Sequence, residues 1–98
     1  MAEIKWTEEA FRWLRDIHDY IASDNPDAAR KVITGIYEKV QILRKFPGLG
    51  STYRLEADGR ICIMLYGHYR IAYLIRNEDQ IVVLGVFHGA LDIGKYLP

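Results

Sequence analysis

Between Ala10 and Ile21 the apolar residues Ala10, Leu14, Ile17 and Ile21 recur at steps of three and four. That spacing gathers them on one stripe of a helix, and Trp13 and Tyr20 widen it. Thr7 stands ahead of the stripe as an N-cap, with Glu8 and Glu9 in the first turn where carboxylates favour the positive end of the helix dipole. The segment SDNPD closes this helix and opens another: Asn25 is a good cap, Pro26 suits the first helical position, and Asp27 suits the first turn. The second stripe, Ala29, Val32, Ile33, Ile36, Val40 and Leu43, predicts a helix from Pro26 to about Phe46. Two long helices joined by so short a connection form an antiparallel hairpin.

The flanking segments carry a period of two. AEIKW reads as a short first strand. PGLG at Pro47 to Gly50 breaks the second helix and begins a loop through Asp58 and Gly59. Strands are expected at Arg60 to Leu65, Tyr69 to Arg76 and Gln80 to His88, with tight connections at Tyr66 to His68 and Asn77 to Asp79. The expected fold is a single α+β domain over residues 1–98, a helical hairpin packed on a small antiparallel-rich sheet in the order βααβββ. Strict alternation sets Ile81, Val83 and Phe87 on one face and Val82, Leu84 and Val86 on the other, yet both sets are apolar. A helical hairpin covers one face only, so at least part of the second is expected to meet a partner or a second copy, while in the C-terminal GALDIGKYLP the residues Ile93, Tyr96 and Leu97 are open to capping the core.

Composition narrows the function classes. The formal net charge is zero, whereas a protein that grips nucleic acid through phosphates is normally basic. Charge is unevenly placed, however: Met1 to Leu43 holds 6 basic and 8 acidic residues, Arg44 to Arg76 holds 6 and 2, and Asn77 to Pro98 holds 1 and 3. The middle segment is thus locally basic and suited to an acidic partner or a phosphate. Cys62 is the one cysteine, the N-terminus lacks signal-peptide features, and no apolar run reaches the ~20 residues of a membrane span. A cytoplasmic location is expected, with no membrane association. His18, His68 and His88 are too far apart in sequence to suggest a metal site, PGLG is no phosphate loop, and no cofactor is expected.

The candidate chemistry lies in GHYRIAYLIRNEDQIVVLGVFHGA. A three-residue loop at Asn77 to Asp79 pairs Arg76 with Gln80, which sets Arg70 opposite Val86 and on the same face as His88; a four-residue loop would separate them. RNA cleavage needs a base, a cation for the phosphorane and an acid for the leaving oxygen, roles open to His88, Arg70 and Tyr96. The competing reading is structural, with Arg70 an ion-pair or partner-binding residue at a sheet margin and His88, ahead of Gly89 and Ala90, bonding at a helix N-terminus.

The succession IKWTEEA, IHDYIASDNPDAARKVI, LRKFPGLG, YRIAYLI and IVVLGVFHGALD spans nearly the whole chain and resembles the ParE branch of the RelE/ParE toxins of bacterial type II toxin–antitoxin modules. The resemblance implies a cognate ParD-like antitoxin, often with a ribbon-helix-helix DNA-binding half, so that operator DNA is met only through the antitoxin and higher-order toxin–antitoxin oligomers can form. RelE-like members cleave mRNA on the ribosome with several basic residues; ParE-like members poison DNA gyrase. Arg70 keeps the arginine of the family's YR motif. RICIML offers Ile61, Cys62 and Ile63 where the nuclease pattern places lysines, and FHGALDIGKY lacks the further arginine. The expectation is therefore a gyrase-binding toxin without catalytic residues, the mRNA endonuclease being the alternative and a non-toxic interaction domain a third. Antitoxin contacts are expected at Trp13, Ile17 and Tyr20, and target contacts at Arg60, Arg70, Lys95 and Tyr96.

Overall fold

The computed structural model describes residues 2–77 and 79–98. Strand β1 (Glu3–Trp6) leads into helix α1 (Glu8–Ala22), which Thr7 caps by accepting the Ala10 N–H at 2.9 Å. Helix α2 (Pro26–Ile42) is capped by Asn25, whose side chain accepts the Ala28 N–H at 3.1 Å. Both caps are those the sequence predicts. The helix stops short of Phe46: the N–H groups of Leu43, Arg44 and Lys45 bond three residues back, a tightening of the last turn that precedes Pro47.

Four strands follow, not three: β2 (Ser51–Glu56), β3 (Gly59–Tyr66), β4 (Tyr69–Arg76) and β5 (Gln80–His88). The added strand β2 occupies the stretch expected as loop. It is an outer strand with Tyr53 and Leu55 exposed, so it has no run of core-facing residues to announce it. The sheet order is β1-β5-β4-β3-β2, with β1 parallel to β5 and the other neighbours antiparallel. Gly67, at φ 56°, opens the two-residue β3–β4 turn, a position that favours glycine.

The register of β4 with β5 corrects the expected faces. Arg76 pairs with Gln80 as anticipated, but Tyr73 pairs with Val83 and Ala72 with Gly85, so Leu84 is a bulge residue. One extra residue inverts the alternation beyond it. Val86 consequently joins Ile81 and Val83 on the helix side, and Phe87 turns to the opposite face. Arg70 now lies opposite Phe87 and His88 opposite Tyr69, which places Arg70 and His88 on different faces of the sheet.

Two cores result. On the helix side Ala10, Ile36, Val40 and Leu43 pack on Cys62, Met64, Ile71, Tyr73, Ile75, Ile81, Val83 and Val86. On the other side Ile61, Ala72, Leu74 and Phe87 are covered by Ile93 and Leu97, so the C-terminal tail completes the fold there. Arg70 fastens that tail by donating from Nη2 to the Leu91 carbonyl. A short turn at Ile93–Lys95 then carries Leu97 back onto the sheet.

Tyr73 ties the helix-side core to the α2–β2 connection. Its hydroxyl donates to the Pro47 carbonyl at 2.8 Å and accepts the Gly50 N–H at 2.8 Å. Burial, which disfavours the phenolate, pushes its pKa up to about 12. Because the unfolded phenol titrates near ~10, the native state retains a proton between these values that the unfolded chain has released. The Tyr73 contribution is full below about pH 10 and declines at up to ~1.4 kcal/mol per pH unit above it. Tyr73→Phe should cost about 1–3 kcal/mol at neutral pH by leaving two backbone groups unpaired. In denaturation series run up to about pH 11, the gap between wild type and variant should narrow above pH 10; a gap independent of pH would exclude the linkage.

Candidate functional site

Strand β1 runs beside β5 only from Gln80 to Val83, and the chain then leaves the sheet edge as Thr7, whose N–H donates to the Val83 carbonyl at 3.2 Å. Beyond that point the outer side of β5 faces α1 instead of a strand. The gap between them is a groove of about 440 Å³, lined by Trp13, Asp16, Ile17 and Tyr20 from α1, by Tyr69, Val86 and His88 from the sheet, and by Ala90 and Leu91. Trp13, Ile17 and Tyr20, expected as a contact set, therefore stand together in one apolar groove. Tyr20 is 82% exposed, so folding alone gives its ring little to do.

The groove continues along α1. Trp13 and Asp16 also border a hollow of about 290 Å³ with Glu9, Arg12 and Tyr96, and Glu9, Arg12 and Tyr96 border a third of about 420 Å³ that reaches Leu84. The three form a trough with an apolar floor and a margin in which Glu8, Glu9 and Asp16 outnumber Arg12. Asp16 could have been anticipated, because it lies three residues from Trp13 and four from Tyr20 on the same helical face. Val86 and His88 could not, since their place depends on the bulge at Leu84.

The residues nominated for catalysis do not converge. Arg70 lies on the tail side of the sheet, where its Nη2 donates to the Leu91 carbonyl and its buried Nε has no hydrogen-bond partner among the described residues. His88 lies on the helix side, where its ring meets Tyr69 edge-on at 5.9 Å and its Nδ1 accepts the Ala90 N–H at 3.2 Å. Tyr96 packs edge-on against Trp13 at 5.1 Å and stacks on Phe87 at 5.9 Å. Among the described residues no hydrogen bond links any two of the three. Nor do the four expected target contacts form one patch. Arg60 pairs with Ile75 at one end of the sheet and Arg70 lies five residues further along β4 on the opposite face, while Lys95 and Tyr96 belong to the tail.

The locally basic middle segment is also partly neutralised. Arg54 Nη2 reaches Glu56 at 2.9 Å and Arg76 Nε reaches Asp58 at 2.9 Å. Among the described residues no group of three His, Cys, Asp or Glu side chains is placed to hold a metal ion, and no helix is long and apolar enough to cross a membrane.

A helical hairpin on one face of a five-stranded mixed sheet is the architecture of the RelE/ParE-like proteins. Two solved structures share it: the chromosomal ParDE system of P. aeruginosa, with TM-score 0.72, 23% identity and coverage of 90% of this chain and 96% of that one, and the archaeal RelE–RelB complex of Pyrococcus horikoshii, with TM-score 0.67, 17% identity and coverage of 91% and 96%. Sequence narrows the class. The family described as the ParE toxin of the type II toxin–antitoxin system parDE matches residues 4–93. A Sinorhizobium fredii protein named "Putative toxin Y4kP" is 33% identical over 81 residues, 83% of either chain. This chain belongs to the ParE toxin family.

Proposed function

We infer that the protein is the toxin of a type II toxin–antitoxin module, acts in the cytoplasm by binding DNA gyrase, and is neutralised by a cognate antitoxin whose C-terminal segment occupies the α1–β5 trough. The observation that carries the antitoxin part is the trough itself. Trp13, Ile17 and Tyr20 offer apolar anchorage, and Glu8, Glu9 and Asp16 favour a segment with basic residues beside its anchors. Family membership and the matched ParDE structure support a ParD-like antitoxin as the occupant, with operator DNA reached only through it. The direct test is supercoiling by purified gyrase, measured with the toxin alone and after addition of antitoxin. Inhibition that antitoxin relieves supports both parts; full supercoiling at saturating toxin removes the gyrase target.

The fold is shared with an archaeal RelE, which keeps ribosome-dependent mRNA cleavage as the second reading. Separation of Arg70, His88 and Tyr96 weighs against it, because general acid–base transfer needs its groups within hydrogen-bond reach of the reacting atoms. His88→Ala and Tyr96→Phe are accordingly expected to stay toxic when folded. A nuclease would instead lose roughly 100-fold or more in rate on removal of its acid or base. Toxicity abolished in either variant, with ribosome binding retained, would decide for cleavage.

A further inference from the structure

At the edge of the sheet opposite β1 and β5, β2 pairs with β3 alone. Leu55 pairs with Arg60, which pairs with Ile75, a member of the helix-side core, so Leu55 projects toward the helix side of the sheet. It is 76% exposed. Phe46 and Leu49, from the α2–β2 connection, are 61% and 50% exposed. Arg60 joins these pieces: it shares with Leu55 an open depression of about 370 Å³, and its guanidinium lies so near Gly48 that a methyl group there would sit 3.7 Å from Nη2.

Asp58 lines the depression together with Arg60 and pairs with Arg76, and Glu56, next to Leu55 on β2, pairs with Arg54. Lys45 and Arg60 make no ion pair among the described residues. Exposed apolar side chains on β2 and on the neighbouring connection, with Arg60 beside both segments and Lys45 in the connection, complement a protein segment that carries acidic residues around an apolar anchor. Nucleic acid fits less well, because phosphate binding would leave Phe46, Leu49 and Leu55 without partners. The trough at α1 and β5 has the opposite, acidic margin, and β4 and β3 stand between the two surfaces in the sheet.

We propose that this shelf, formed by Phe46, Leu49, Leu55, Lys45 and Arg60, is where the toxin engages its protein target, through an acidic, apolar-anchored segment of that target. The proposal rests on the toxin reading above, but not on gyrase being the target. Separate surfaces explain how an antitoxin and a target select opposite charges on a chain whose net charge is zero.

The test expresses wild type and two double variants, Leu55→Ser/Arg60→Glu and Lys45→Glu/Leu49→Ser, in a susceptible bacterium. It reads growth arrest, thermal melting and affinity for the purified antitoxin; the second pair lies in the connection before β2 and serves if the first does not fold. Expected are unchanged melting and antitoxin affinity with target affinity down by about tenfold or more, seen as growth at induction levels that arrest the wild type. Folded variants that arrest growth like wild type overturn the proposal. A wild type that arrests growth without inhibiting purified gyrase removes gyrase while the growth comparison still reads the shelf; a wild type that never arrests growth removes the toxin reading. Binding of a short DNA duplex that Arg60→Glu abolishes and Leu55→Ser leaves intact would assign the shelf to nucleic acid and also overturn it.

Discussion

Phe87→Ala is expected to lower folding stability by about 3–5 kcal/mol, the cost typical of deleting a buried aromatic ring. Phe87 is 1% exposed and lies at the centre of the tail-side core, edge-on to Trp13 at 4.7 Å and stacked on Tyr96 at 5.9 Å. Its loss would remove the surface on which Ile93 and Leu97 rest and leave the tail held by two side-chain bonds, from Arg70 to the Leu91 carbonyl and from Arg54 to the Pro98 carbonyl. Urea denaturation would give the free energy, and limited proteolysis should find the tail opened before global unfolding. A cost below about 1 kcal/mol would mean that the tail-side residues add little to stability.

This packing corrects the expectation of a partner or a second copy on the second sheet face, which the chain's own tail covers. The tail's Ile93 and Leu97 are buried there, so neither a partner nor a second copy is needed to cover Ile61, Ala72, Leu74 and Phe87. Tyr96 is 45% exposed and borders the trough, so it sits at the junction of core and groove. A toxicity defect in a tail deletion would therefore mix lost stability with lost contact. Surface substitutions on the shelf avoid that ambiguity.

What was legible in the sequence follows from local physics. Both helix caps, the hairpin of helices, the β4–β5 turn and the sharing of Trp13, Ile17 and Tyr20 by one helical face are set by spacing and capping chemistry within a few residues. The bulge at Leu84 had one signal in the sequence, Gly85 inside an otherwise apolar strand, but its register was not legible, because the lack of a side chain there matters only once the Phe87 ring lies against it. The one extra residue separates Arg70 from His88. Strand β2 escaped for a different reason: an outer strand shows solvent on most of its length, and its pattern resembles a loop. The pairing of Arg54 with Glu56 and of Arg76 with Asp58 likewise depends on the fold, so a segmental charge count overstated the free positive charge.

Tyr20→Ala is expected to weaken antitoxin binding by about 2 kcal/mol or more, roughly 30-fold, while leaving melting within about 0.5 kcal/mol of wild type. The asymmetry follows from its position. At 82% exposure the ring has almost no area to lose from the folded monomer, yet it borders the groove where an occupant would cover it. Trp13 is the less informative choice, because its ring packs on Phe87 and Tyr96 and its removal would damage the tail-side core as well. Ile17 lies between the two cases, partly buried against the helix-side core and partly lining the groove. Calorimetric titration of the purified antitoxin into wild type and Tyr20→Ala, alongside denaturation of each toxin alone, separates the two quantities. Affinity unchanged with the fold intact would move the antitoxin off this end of α1; affinity and stability falling together would mean that Tyr20 supports the monomer in a way its exposure does not predict.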